Sequence, residues 1–217
     1  MIGQGTKELL WLAMAPGLEL SHALARLRSR KARGLCLHLG AGGTRLLGFV
    51  NIDINPMCRP DLWLDIRKGL PFPRSSASFI YTCHTLEHIE LDRVMAVLRE
   101  CRRVLCHKGI LRIAVPDLGK AITNYNLGDK KLFGSWPRNF NSPGGRFVNY
   151  IFCDAQHKCA FDYGFLEELL FCSGFPKSTE VQLGMSLDLG HYQPHVAEFE
   201  KGHLDADTLF VEVRKEA

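Results

Sequence analysis

Five short runs, LCLHL (35–39), FVNIDI (49–54), DLWLDI (61–66), FIYTC (79–83) and ILRIAV (110–115), are apolar almost continuously rather than alternately. Continuous apolarity suits strands covered on both faces, the condition of a parallel sheet. Helical or turn-like patterns separate the runs, an order best met by a parallel sheet with right-handed crossovers. The clearest helix lies between the last two runs. Leu91, Val94, Met95, Leu98, Cys101 and Leu105 recur at helical spacing, with Arg99, Glu100 and Arg103 opposite, and Gly109 is expected to end the helix as a left-handed cap. A helix is expected over Leu118 to Asn126. Another should start at an Asp162 cap, carry Phe165, Leu166, Leu169 and Leu170 as its apolar stripe, and stop at Gly174. TLFVEVRK (208–215) reads as a further strand. The fold class is therefore α/β, doubly wound, with a mostly parallel sheet and helices on both faces.

A chain of 217 residues, 46% hydrophobic and 23% charged, fits one globular domain over 1–217 with a sizeable core. The net charge of +4 is scattered apart from RLRSRKAR around Arg30 and Lys31, which reads as a solvated helix end. Without a dense basic patch, nucleic acid is not expected as a partner. The eight cysteines form no CxxC pair, and several sit in apolar runs, which favours free thiols in a reducing compartment. Zinc held by Cys153, His157 and Cys159 has poor ligand spacing. LLWLAMA (9–15) carries an A-x-A pattern, but it reads better as part of an N-terminal helical segment (1–33) across the domain's edge than as a signal peptide. No stretch reaches the ~20 apolar residues of a membrane span. The expectation is a cytoplasmic protein without a membrane partner. From Leu127 to Lys158 the chain is rich in Gly, Pro, Asn and aromatics without a clear period, and we read it as a lid over an acceptor.

The turn HLGAGG after the first run, followed by NIDINP, is a nucleotide-holding pattern. Glycines there let the backbone approach a ligand. A dinucleotide fingerprint needs a third glycine where Arg45 stands and an acid about 20 residues on. Asp53 comes only 13 residues after Gly40, and the eight residues between Gly40 and Phe49 leave no room for a phosphate-facing helix. A nucleoside held by its sugar fits better.

Taken in order, HLGAGG, NIDINP, DLWLDIRKGLPFP, SSASFIYTCHTLEHI and VLRECRRVLCHKGILRIAVPDL resemble the class I S-adenosylmethionine-dependent methyltransferases, particularly the methyltransferase type 11 group. HKCAFDYGFLEELLFCSGF is similar to that group's helix beyond the acceptor side. The resemblance implies a Rossmann-like, seven-stranded sheet and S-adenosylmethionine as cofactor. It implies that Gly40, Ala41 and Gly42 approach the cofactor. Asp53 at the end of the second strand, with Ile54 beside it, would take both ribose hydroxyls. Asp65 would bond the adenine amino group, Ile66 would lie beside the ring, and His84 would stand near the transferring methyl. His38 departs from the acid many class I enzymes carry at its position.

Methyl transfer to a hydroxyl needs a group to take its proton, and His84, His88 and His157 are candidates, with Tyr163 placed to orient an acceptor oxygen. His157 is favoured for facing the acceptor; His88 reads equally as a brace for the next helix. His191, His195 and His203 read as surface histidines, and Trp63 and Trp136 as packing residues. No N-P-P-[YF] follows the fourth run, which again points away from nucleic-acid bases. The expected function is methyl transfer to a small molecule or saccharide, on oxygen, with no metal. One alternative is a protein that binds S-adenosylmethionine without transferase activity. Another is a zinc hydrolase, because His84-Thr85-Leu86-Glu87-His88 also spells H-x-x-E-H, which requires both histidines on one helical face.

Overall fold

The computed structural model describes residues 4–129, 133–135, 137–187, 194–204 and 207–216, with residues 4–12 described by backbone alone. Trp136 and His191 lie outside the described residues. Seven strands, β1 (Leu35–Leu39), β2 (Val50–Asp53), β3 (Leu62–Trp63), β4 (Ala77–Cys83), β5 (Leu105–Pro116), β6 (Thr179–Val181) and β7 (Thr208–Arg214), form one sheet in the order β3-β2-β1-β4-β5-β7-β6. Strands β1 to β5 run parallel, whereas β7 is antiparallel to both of its neighbours. The chain enters at β1, winds outward to β3, and returns to β4 on the other side of β1. This reversal of strand order creates a crevice at the carboxyl ends of β1, β2 and β4.

Six helices accompany the sheet among the described residues: α1 (Gln4–Arg28), α2 (Leu91–Val104), α3 (Leu118–Asn126), α4 (Pro143–Phe152), α5 (Tyr163–Cys172) and α6 (Pro194–His203). The strands' period of two sorts their side chains onto opposite faces. Leu37, Leu39, Ile52, Ile80, Leu111 and Ile113 pack with Val94, Leu98 and Cys101 of α2 and with Leu166 and Leu170 of α5. On the other face Phe79, Tyr81 and Ile110 meet Leu46, Phe49 and Val196 of α6. Each fully buried aliphatic or aromatic side chain contributes about 1.5–3 kcal/mol. Helix α1 lies against β3, where a side chain on Gly17 would come within 2.8 Å of the Trp63 ring. Its Glu19 pairs with Lys68, and His22 Nε2 bonds the Gly69 carbonyl at 3.2 Å.

A polar row crosses the second face in register: Asn51, His38, Tyr81, Arg112 and Glu212 are successive cross-strand partners. Arg112 is wholly buried, yet its guanidinium donates to both Glu200 oxygens at 2.7 Å, to Glu212 Oε1 at 2.7 Å and to the Met185 carbonyl at 2.8 Å. The remaining Glu212 oxygen accepts from Ser186 Oγ and Leu187 N, both at 2.9 Å. This cluster ties α6 and the segment before it to the middle of the sheet.

Several expectations are corrected. Helix α2 ends at Val104, not at Gly109, because Leu105 turns extended (ψ 137°) and pairs with Ala77 in the sheet. Lys108 carries the positive φ of 63°, and Gly109 is needed for close packing: a Cβ there would lie 3.2 Å from the Ser78 carbonyl oxygen. DLWLDI forms a strand only at Leu62–Trp63, because Asp65 caps a 3-10 turn at Ile66–Lys68 by accepting from Arg67 N. The stretch read as aperiodic contains α4, begun by Ser142 Oγ accepting from Gly145 N with Pro143 in the first turn. Helix α6 and strand β6 were absent from the sequence reading; both are short, and α6 buries only Val196 and Glu200. Asp162 accepts from Phe165 N at the start of α5, and Gly174, at φ 87°, follows its end, both as expected.

Candidate active site

Gly40 leaves β1 with φ 70°, and its N–H donates to the Ile52 carbonyl at 2.9 Å. A Cβ at this position would lie 2.2 Å from Thr85 Oγ1, so only glycine lets the turn after β1 touch the turn after β4. Gly42, at φ 53°, donates its N–H to Asp53 Oδ2 at 2.7 Å, and Asn55 N donates to Asp53 Oδ1, also at 2.7 Å. Asp53 is thus oriented by two backbone donors. A carboxylate has about four acceptor positions, so two remain for a ligand's hydroxyls. Asp65 accepts from Arg67 N at 3.0 Å and forms a fork with Arg67 Nε and Nη2, both at 2.9 Å.

These groups line one cleft of about 550 Å³, within the ~300–1,000 Å³ usual for small-ligand sites. Gly40, Gly42, Asp53, Ile54, Asp65, Ile66 and His84 all reach its wall. Ala41 is buried behind the turn instead. Sequence reasoning missed Arg67, Ile89, Gln156 and Lys158, which also line it. Arg67 had a signal, the acid two residues before it; Gln156 and Lys158 were not singled out, although both lie in the stretch 127–158 expected to cover an acceptor.

His84 stands at the mouth of β4 with φ 45°, a strained conformation for a non-glycine residue. Its Nδ1 lies 3.2 Å from Glu87 Oε1. Burial works against its charged form, but the hydrogen bond and charge of Glu87, with Asp207 beyond, outweigh it and hold the pKa above the ordinary 6.5. Glu87 is almost fully buried on the short 3-10 turn Leu86–His88. Its backbone carbonyl accepts from Lys158 N at 2.6 Å and Cys159 N at 3.2 Å, which draws the chain after α4 onto this turn. His157 arrives there with Nδ1 3.0 Å from the Ile151 carbonyl and its ring edge-on to His88, centroids 4.9 Å apart. Burial lowers the His157 pKa, joined by His88 and His84 and opposed by Glu87.

The structure does not bring Tyr163 to this place. It lines a separate cavity of about 490 Å³ with Asp117 and Lys120, and its hydroxyl lies 3.1 Å from Glu167 Oε1 and 3.0 Å from the Ser178 carbonyl oxygen. The helical face needed for an H-x-x-E-H zinc hydrolase is also missing. His84 precedes the 3-10 turn and pairs with Glu87, and α2 begins only at Leu91. His38 is buried in the polar row, 3.2 Å from Asn51 Oδ1. Burial pushes its pKa down to about 4, against the opposing effects of Asn51 and Asp53, so it serves the sheet as a neutral ring. His195 is exposed on α6 and His203 bonds the Phe199 carbonyl at 3.0 Å, both away from the cleft lining. The Trp63 indole packs on Gly17 and donates to the Ile54 carbonyl at 2.8 Å.

The segment from residue 61 to 113 matches the family model of a methyltransferase domain. No curated protein matches the sequence. Among solved structures, a SAM-dependent methyltransferase from Archaeoglobus fulgidus aligns over 91% of this chain and 94% of its own, with 15% identity and a TM-score of 0.51. The chain has the fold of the class I S-adenosylmethionine-dependent methyltransferases. A methyltransferase from Thermotoga maritima, described as a possible histamine N-methyltransferase, aligns over 95% and 97% with 16% identity and a TM-score of 0.50. The Haemonchus contortus phosphoethanolamine N-methyltransferase 2, solved with S-adenosyl-L-methionine, aligns over 92% of this chain but 53% of its own, with 13% identity and a TM-score of 0.50. Among the described residues, no helix is long and apolar enough to cross a membrane.

Proposed function

We propose that this chain is a methyltransferase that moves the S-adenosylmethionine methyl group to an oxygen of a small molecule or saccharide. The bound cofactor supplies an electrophilic methyl on a sulfonium, and the chain's part is to align donor and acceptor. Asp53, with two acceptor positions unspent, fits a ribose, and Asp65 with Ile66 fits the adenine end. The observation that carries the acceptor side is the convergence of Gln156 and Lys158 on the same cleft wall as His84. This supports reading the segment 127–158, near whose end both residues lie, as a cover over the acceptor.

His84 is the base in this reading. With Nδ1 donating to Glu87, Nε2 keeps its lone pair for the acceptor's proton. The test is methyl-labelled S-adenosylmethionine offered with a panel of hydroxyl-bearing small molecules and saccharides. Label on oxygen, reduced at least tenfold in kcat by His84→Ala, is expected. Label only on nitrogen or carbon acceptors contradicts the oxygen assignment, and cofactor binding without transfer to any acceptor favours the binding-only alternative.

A further inference from the structure

Glu87, His88 and His157 each offer one ligand atom, and these atoms all lie within 4.8 Å of one another. We propose that the three residues bind one divalent transition-metal cation, with open positions facing the acceptor end of the cleft. Four observations carry this. First, Glu87 Oε2 is buried and has no hydrogen-bond partner among the described residues, although its other oxygen is held by His84. An unpaired buried carboxylate oxygen is costly, and a cation removes that cost. Second, each histidine has its Nδ1 on a backbone carbonyl, His88 on Gln156 at 3.1 Å and His157 on Ile151 at 3.0 Å. That arrangement fixes the tautomer and leaves Nε2 as a lone-pair donor, the usual support for a metal-bound imidazole.

Third, Glu87 and His157 border a cavity of about 10 Å³ beside the cleft, room for a single small species rather than an organic ligand. Fourth, His88 lies on the wall of the main cleft, so the cluster opens toward the substrate side. Donor atoms ~2.1 Å from one metal stand about 3.4 Å apart in a tetrahedral shell and up to about 4.2 Å apart in an octahedral one. Cation binding therefore draws the three donors closer than the 4.8 Å they span here, the exposed His88 and the Gln156 carbonyl that holds its Nδ1 shifting together. Two imidazoles and one carboxylate suit zinc, manganese or ferrous iron, not the all-oxygen shells that calcium and magnesium favour. In the methyl-transfer reading, on which this role rests, an acceptor oxygen at an open position is drawn toward its deprotonated form beside His84.

The test titrates Zn²⁺ or Mn²⁺ into chelator-stripped full-length protein by calorimetry, with metal content measured after desalting. Uptake of one equivalent is expected, with at least tenfold weaker binding in Glu87→Gln and His157→Ala, each shown to be folded by circular dichroism. Uptake below a tenth of an equivalent, or unchanged affinity in a folded Glu87→Gln, overturns the site and leaves a water against Glu87 Oε2. Titrating S-adenosylhomocysteine into the same stripped protein separates the two readings. Nucleoside binding without metal uptake refutes the metal site alone, and metal uptake without nucleoside binding refutes the methyltransferase reading alone.

Discussion

Two buried polar clusters in this molecule have opposite fates. In the middle of the sheet, Arg112 is paired with both oxygens of Glu200 and one of Glu212, and the last Glu212 oxygen takes two further donors. At the end of the sheet, Glu87 is equally buried, but one of its oxygens has no partner among the described residues. A complete cluster consumes its own hydrogen-bonding capacity and can only hold structure. An incomplete one, placed where strand order reverses, is left with capacity to spend on a visitor. Open α/β sheets bind their ligands at that end, where strand order reverses, whereas the polar row lies within the sheet, its members paired across neighbouring strands.

The largest effect expected from this contrast is on folding. Arg112→Met strands two buried carboxylates and should cost about 3–5 kcal/mol in urea unfolding. Replacing Arg112, Glu200 and Glu212 together with apolar residues should recover most of that loss. If the single and triple variants are equally unstable, the cluster does more than satisfy itself.

A smaller effect should appear with pH. His38 has a folded pKa of about 4 against an unfolded value near 6.5, so between these values the unfolded chain binds more protons. Stability is therefore undiminished above pH 6.5 and should fall by roughly 3 kcal/mol as pH drops to about 4. Unfolding followed from pH 7 to 4, with His38→Gln flattening the slope, checks this; an identical slope in the variant places the titration elsewhere.

The smallest effect is predicted at Glu87. In metal-free protein, Glu87→Gln should change unfolding stability by no more than about 1 kcal/mol, because a neutral amide keeps an acceptor for His84 and its unpaired end carries no buried charge. A loss as large as that of Arg112→Met would make Glu87 a structural ion and erase the contrast.

How far the sequence revealed this follows from where each signal lies along the chain. The strands were legible because burial on both faces leaves continuous apolar runs. Gly40 and Asp53 were legible because a tight turn and a strand-terminal acid sit close together in sequence. Leu105 misled because helical spacing continued into a residue that the sheet claimed. Helix α4 was hidden in a stretch whose Pro, Gly and Asn looked like loop, although Ser142 and Pro143 form a sound helix start. Glu87 and His157 meet only because the Glu87 carbonyl collects Lys158 and Cys159, a long-range contact that no local pattern encodes. The same local view read HTLEH as either helix-borne zinc ligands or a turn. The turn is what forms, and the cation cluster it supports uses His157 in place of His84.

The central claim is that Asp53 holds the ribose of an adenosyl cofactor in the cleft at the ends of β1, β2 and β4. Calorimetric titration of S-adenosylhomocysteine into wild type and Asp53→Ala tests it directly. One site per chain is predicted, weakened by roughly 1.5–3 kcal/mol, about 10- to 150-fold, in the variant. No binding by wild type, or the same affinity in both, contradicts the account.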